Sequence, residues 1–197
     1  MIEEIIQREW DFFQEVHNIG GRASCQDNFE TFYLQRKGQF EVFYPEVNES
    51  YLKDLKLYKE IGRNPIMEKY AYMMESTDKD YYDTIKDQLP ERSEEQMDII
   101  NTICRIEVAM REVFDQQYPR LSSLARDTHT GDDQQENTSF ETYLRGELST
   151  YSPETLYLYG RMIANMYQNG QNMILMIQEK TVQAYGYRSL DDAEAKM

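Results

Sequence analysis

Apolar side chains recur at helical spacing along most of the sequence, and this periodicity limits the possible folds more than any other feature. Near the N-terminus Ile5, Ile6, Trp10, Phe13 and Val16 lie at intervals that place them on one face of a helix. The alternation of apolar and polar residues that marks strands is nearly absent. The sequence therefore predicts an all-α domain of seven to nine helices, packed as a bundle or as stacked helix pairs.

Prolines and glycines divide this pattern into segments. The five prolines stand where helices should begin or end, and most of the nine glycines mark junctions. Asn64 and Pro65 open one helix, and Ser93 with Gln96 forms a capping box before the longest helix, 94–117. Asp27 and Thr138 are predicted N-caps of two others. The remaining predicted helices span 3–16, 27–43, 46–61, 78–89, 139–150, 153–168 and 172–185.

The whole chain, 1–197, is predicted to form one domain, since its length suffices for one hydrophobic core. Residues 119–126 are expected to add one or two turns. The polar segment 127–137 predicts a long surface loop, and 189–197 predicts a frayed C-terminal tail.

The charge of the chain disfavours two classes of partner. Asp and Glu number 36 against 21 Lys and Arg, so the net charge is −15, and no cluster of basic residues could grip a nucleic acid or an anionic membrane. Nine acidic and three basic residues fall within 75–98. This segment predicts either a solvated face or an acidic surface that docks a basic protein, as a nucleic-acid mimic would.

Two sequence features predict a cytoplasmic protein. Cys25 and Cys104 are its only cysteines, too few for the disulfide framework of a secreted domain, so both should be free thiols. The N-terminal segment is acidic, and no apolar run is long enough for a signal peptide or a membrane span.

Ionisable residues interrupt the apolar faces of several predicted helices. Glu9, Arg36, Glu107 and Glu147 fall within the apolar arc of their own helix, and Arg111 lies at the edge of one. Because an unpaired charge in a core is costly, these groups need partners. One interpretation is structural ion pairing, of Glu107 with Arg111 and of Arg36 with Glu9 or Glu147. The other is a polar cavity between helices that holds a ligand.

The cavity interpretation defines a binding site for a small anionic or nucleotide-like ligand. Arginines would bind the anion, glutamates would orient them, and tyrosines would hydrogen-bond or stack. Arg22 joins the set because it precedes a predicted helix N-terminus, where backbone N–H groups favour an anion. The predicted ligand-binding residues are Arg22, Arg36, Arg111, Glu9, Glu107, Glu147, Tyr143 and Tyr151. Secondary candidates are Cys25, His17, His129 and Asp127.

The sequence contains few residues of the kinds that metal motifs require. It assigns no metal ligand, no cofactor and no catalytic residue. There are two histidines and no Glu-x-x-His. The segments 94–98 and 112–115 are similar to magnesium motifs of all-helical nucleotide pyrophosphohydrolases, but they lie on one predicted helix, roughly 20 Å apart. An alternative to a ligand-binding domain is an enzyme, a metal-assisted hydrolase that uses interior carboxylates.

Several stretches together resemble one bacterial family of uncharacterised proteins, the domain of unknown function four-one-two-five. They are Gly20-Gly-Arg-Ala-Ser-Cys-Gln26, Glu68-Lys-Tyr-Ala-Tyr-Met-Met-Glu-Ser-Thr77, the segment 139–152 and Tyr185-Gly-Tyr-Arg-Ser-Leu-Asp191. The resemblance covers essentially the whole chain and implies no activity. Because some members are joined to a nucleotidyltransferase-like domain, it implies an accessory helical module whose partner of that kind comes from another polypeptide.

Overall fold

The helices begin and end at residues that the sequence marks by their chemistry. In the computed structural model, which describes residues 1–17, 21–134 and 137–197, proline occupies the first turn of four helices, at Pro45, Pro65, Pro119 and Pro153. The α-helices are α1 (Ile2–Gln14), α2 (Phe29–Val42), α3 (Pro45–Glu60), α4 (Pro65–Thr77), α5 (Lys79–Ile85), α6 (Glu94–Gln117), α7 (Pro119–Ser122), α8 (Phe140–Leu148), α9 (Pro153–Gln168), α10 (Met173–Ala184) and α11 (Leu190–Lys196).

The prediction of an all-α fold is confirmed, but the predicted count of seven to nine helices is too low. Across the described ranges there are eleven α-helices and no strand, only an isolated bridge between Gln134 and Asn137. The two additional helices are α7 and α11, which the sequence predicted as turns. Burial of Leu190 and Ala193 against the core explains why the C-terminal segment is helical instead of frayed.

Two predicted N-caps are displaced by one residue. Ser24–Asp27 forms a separate 3₁₀ turn, so α2 is capped by Asn28 and not by Asp27. The side chain of Ser139, and not that of Thr138, caps α8. In the predicted loop 127–137, residues 135 and 136 lie outside the described part. The rest of this loop is joined to α8 by backbone hydrogen bonds, including one of 2.7 Å from Phe140 N to the Asp127 carbonyl oxygen.

Two glycines permit the close helix contacts around the molecule's main cleft. A Cβ at Gly38 of α2 would lie 2.8 Å from Thr181 Oγ1 of α10, and a Cβ at Gly146 of α8 would lie 2.9 Å from the Lys69 carbonyl oxygen of α4. Residues of all four helices border this cleft. No helix in the described part is long and apolar enough to cross a membrane.

Candidate ligand-binding cleft

A cleft with two lobes opens between the helices. The first lobe, of about 580 Å³, is bounded by residues of α1, α2, α4 and α8. The second lobe, of about 370 Å³, is bounded by α2, α6, α8, α9 and α10. Both lobes share Gln35, Arg36, Arg126 and Tyr143, which we call the waist. The two lobes are therefore adjacent at these four residues.

Arg36 joins three helices at the floor of this cleft. Its Nε donates to Glu9 Oε2 on α1 at 2.7 Å, and its Nη2 donates to Glu9 Oε1 at 2.5 Å. Both terminal nitrogens also contact Glu147 Oε1 on α8, each at 3.2 Å. Nη1 further donates to Gln39 Oε1 at 2.6 Å. All three charged side chains are buried, so two carboxylates neutralise this guanidinium away from solvent.

Two tyrosines complete the hydrogen bonding of these carboxylates. Tyr51 donates to Glu9 Oε1 at 2.8 Å, and Tyr151 donates to Glu147 Oε1 at 3.3 Å. Burial, followed by the nearby carboxylates, raises the pKa of both phenols well above the ordinary value, so both remain neutral donors. Tyr151, which the sequence predicted as a ligand-binding residue, thus hydrogen-bonds Glu147 and borders neither lobe.

Lys69 of α4 adds a second cation beside Glu147. Its Nζ lies 3.5 Å from Glu147 Oε2 and donates to the Tyr143 hydroxyl at 2.7 Å. Burial opposes ionisation of Glu147, but the positive charges of Arg36 and Lys69 outweigh it and lower the pKa of this carboxyl to about 2. Glu147 is therefore a carboxylate throughout the neutral range.

Glu107 differs from the other interior carboxylates because it has no basic partner among the described residues. The predicted pair of Glu107 with Arg111 is wrong: Arg111 Nε instead donates to Asp115 Oδ1 at 2.7 Å, one turn further along α6. Glu107 accepts a hydrogen bond of 2.8 Å from the Tyr159 hydroxyl of α9. Burial raises the pKa of Glu107 to about 8, so this group is mostly a neutral carboxylic acid near pH 7.

The cleft brings together most of the predicted ligand-binding residues. Glu9 borders the first lobe, Arg111, Glu107 and Glu147 border the second, and Arg36 and Tyr143 border both. The secondary candidate Cys25 is exposed and borders the first lobe.

Arg22 and His17 do not reach the cleft, contrary to the prediction for Arg22. Both border a separate depression of about 290 Å³. The guanidinium of Arg22 donates to Asp27 Oδ1 and to the Gln26 carbonyl oxygen, each at 2.7 Å, and also bonds Gln14. The single 3₁₀ turn that follows Arg22 provides no α-helix N-terminus there. Gly20, which the sequence prediction included, lies outside the described residues.

His129 and Asp127 also point away from both lobes. His129 is exposed, with Nε2 3.3 Å from Glu112 Oε1. Asp127 is exposed and accepts a hydrogen bond of 2.8 Å from Asn137 Nδ2. The loop folds back along α8, and this directs the two side chains towards solvent.

Sequence reasoning missed two cations of the cleft, Lys69 and Arg126. Lys69 stands between Ile66 and Met73 on the apolar face of α4, the same signal that identified the buried glutamates. Arg126 lies between helices, where no periodicity applies. Its Nη1 donates to the Thr138 carbonyl oxygen at 3.0 Å, and its guanidinium lies 5.0 Å from the centre of the Tyr143 ring.

The remaining acidic residues form no metal-ligating cluster within the described ranges. The motif-like segments 94–98 and 112–115 both lie on α6. Asp115 accepts hydrogen bonds from Arg111 and from the hydroxyls of Ser122 and Thr128.

Most acidic side chains of 75–98 are exposed around α5, where Asp83 pairs with Lys79 and Lys86. Docking of a basic partner on this face stays a prediction.

Fold and cleft together define an all-helical protein with a cleft between its helices that both charged and aromatic side chains border. Residues 1–195 match the family described as protein of unknown function (DUF4125), and the chain belongs to this family. Neither the curated proteins nor the solved structures contain a match to it.

Proposed function

We propose that this protein is a binding domain whose cleft takes a small organic anion at the waist. The observation that carries the proposal is the charge of the cleft. Four basic residues, Arg36, Lys69, Arg111 and Arg126, border the two lobes, against Glu9, Glu147 and the largely neutral Glu107, and Arg111 pairs with Asp115 outside the lobes. In a chain with a net charge of −15, a cavity in which cations outnumber anions favours a negatively charged ligand.

Lys69 and Arg126 are the cations best suited to contact the anion. They approach the same Tyr143 ring, with the Lys69 ammonium 4.3 Å and the Arg126 guanidinium 5.0 Å from its centre. Arg126 contacts no carboxylate among the described residues. An anion bound beside this ring could accept charge-assisted hydrogen bonds from these groups.

Arg36 has a different role in this proposal. Its donors are already directed at Glu9, Glu147 and Gln39, so it holds the cleft floor together instead of offering free hydrogen bonds. We therefore assign anion binding to Lys69 and Arg126 instead of Arg36. Arg36 helps to fix Glu147, and Glu147 in turn holds Lys69 in position.

The walls of the first lobe suit the uncharged part of an organic ligand. Phe13, Phe32, Ile66 and Tyr70 border this lobe, and the rings of Phe13 and Phe32 are stacked with centres 5.8 Å apart. A largely apolar and aromatic wall beside a few convergent charges is typical of small-molecule sites.

Thermal unfolding at low ionic strength tests the proposal with inorganic phosphate, pyrophosphate, citrate, ribose 5-phosphate and AMP as probes. At least one organic probe should raise the unfolding midpoint of the wild type and stabilise Arg126→Gln much less. Arg161→Gln is the matched control, because Arg161 is an exposed arginine of α9 outside both lobes. No stabilisation by any probe, or equal stabilisation of all three proteins, would contradict anion binding at the waist.

A further inference from the structure

The Glu107 carboxyl group has one oxygen that no described residue binds. Glu107 is 2% exposed and borders the second lobe, and Tyr159 donates to its Oε1 only. Among the described side chains, the fully enclosed polar atom without a hydrogen bond is Asn48 Oδ1. The second oxygen of Glu107 is therefore not enclosed by protein, and it is open to the space of the lobe.

No cation lowers the pKa of Glu107, although Arg126, which has no carboxylate partner among the described residues, borders the same lobe at the waist. Arg111 is bound to Asp115, and Arg36 is bound to Glu9 and Glu147. The helix α10 contributes only uncharged residues to the lobe. The titratable or charged groups that border the lobe with Glu107 are Arg36, Arg111, Arg126, Tyr143, Glu147 and Tyr159, and those that interact with it electrostatically from outside the lobe are Cys104 and Tyr151.

A neutral carboxyl group in this position is a hydrogen-bond donor. Burial, together with the negative charge of Glu147, keeps the proton on Glu107 near neutral pH. Tyr159 already donates to Oε1, so the proton belongs on the open oxygen. This arrangement offers one O–H group to whatever fills the second lobe.

We propose that Glu107 is a specificity-determining residue that donates this hydrogen bond to an uncharged acceptor on the ligand. The inference rests on the proposed function and narrows its ligand class. The ligand is an organic anion that carries a hydroxyl or carbonyl oxygen beyond its charged group, as phosphorylated sugars do. Its charged group lies at the waist, and the acceptor extends into the second lobe.

Calorimetric titration with ribose 5-phosphate at pH 7 and pH 9 tests this assignment, with inorganic phosphate as the probe that lacks the extension. Wild-type affinity for ribose 5-phosphate should fall about tenfold at the higher pH, where Glu107 loses its proton. Glu107→Gln retains an N–H donor, so its affinity should change little with pH. Glu107→Ala should bind ribose 5-phosphate about tenfold more weakly than the wild type at pH 7 and inorganic phosphate equally well.

The outcomes separate this inference from the proposed function. Ribose 5-phosphate binding that is the same in the wild type and Glu107→Ala, or equally pH-dependent in Glu107→Gln, overturns the role of Glu107 and leaves anion binding intact. No binding of either probe to the wild type overturns the ligand class inferred here, and it overturns the proposed function as well if pyrophosphate, citrate and AMP also fail to stabilise the protein. If Glu107→Ala does not fold, the pH dependence of ribose 5-phosphate binding by Glu107→Gln tests the role of Glu107 instead. Infrared spectra provide a ligand-free check, since the carboxylic acid C=O band at pH 7 should lose intensity in Glu107→Gln.

Discussion

Arg36 and Glu9 form a bidentate ion pair that connects α2 to α1, with parallel hydrogen bonds to the two oxygens of one carboxylate. Glu9 is fully buried and Arg36 nearly so. Such a pair resists disruption because removing one member leaves the other charged and desolvated. The pair therefore belongs to the framework of the cleft, and its loss should affect folding before binding.

Replacing Arg36 by methionine should lower the free energy of unfolding by about 3–5 kcal/mol, since Glu9 and Glu147 would lose their shared cation. Urea denaturation at neutral pH measures the change. Arg105→Met is the control, because Arg105 is exposed on α6 and, among the described residues, hydrogen-bonds Asn101 and Thr102 only. Equal effects of the two substitutions would show that the buried pair has no special importance.

Acid should remove the stabilisation that Glu147 provides. Its pKa of about 2 in the folded protein is below the ordinary 4.5, so the unfolded chain binds the proton more readily. Stability from this group is complete above about pH 4.5 and is lost as the pH falls towards 2, with a total of about 3 kcal/mol. The stability difference between the wild type and Glu147→Gln should shrink over this interval. A difference that is independent of pH would refute the pairing of Glu147 with Arg36 and Lys69.

Glu107 should have the opposite pH dependence. Its pKa of about 8 is raised above the ordinary 4.5, so the folded protein holds the proton that the unfolded chain releases, and stability falls as the pH rises between these values. Relative to the wild type, Glu107→Gln should therefore gain about 2–3 kcal/mol between pH 5.5 and pH 7.5. Urea unfolding at the two pH values measures this gain. Parallel stability profiles would mean that Glu107 is ionised in the folded protein.

Alanine at Gly146 should force α8 away from α4. The added Cβ would lie 2.8 Å from Met73 Cγ and 2.9 Å from the backbone oxygen of Lys69, which cannot move without shifting the cleft wall. We expect a loss of about 1–3 kcal/mol on unfolding and weaker anion binding. Gly160→Ala is the matched control, since its nearest neighbour would be Ile103 Cδ1 at 3.5 Å. That substitution should stabilise α9 by up to about 1 kcal/mol.

Helical periodicity in the sequence was sufficient to predict the all-α fold and to place Glu9, Arg36, Glu107 and Glu147 on apolar faces. It could not choose partners for them. Arg111 lies four residues after Glu107 and four residues before Asp115, so its spacing allows an ion pair with either carboxylate. In the structure Arg111 pairs with Asp115, and Glu107 instead accepts a hydrogen bond from the Tyr159 hydroxyl of α9.

The two cations on which the proposal depends also show what sequence periodicity cannot predict. Lys69 has a periodic signal because it lies on a helix face, whereas Arg126 lies between helices. Arg126 reaches the waist only because the segment after α7 folds back towards α8. The composition of a cleft formed by separate segments depends on tertiary packing, which local patterns do not encode.

Native mass spectrometry of freshly purified protein tests anion binding in the cleft most directly, because it detects a retained ligand whatever its chemical identity. The wild type should carry a small anionic adduct, or acquire one with added ribose 5-phosphate, while Lys69→Gln/Arg126→Gln should remain the bare chain under the same conditions. Bare wild-type protein with and without the probe, or the same adduct on both proteins, would contradict a binding site at the waist.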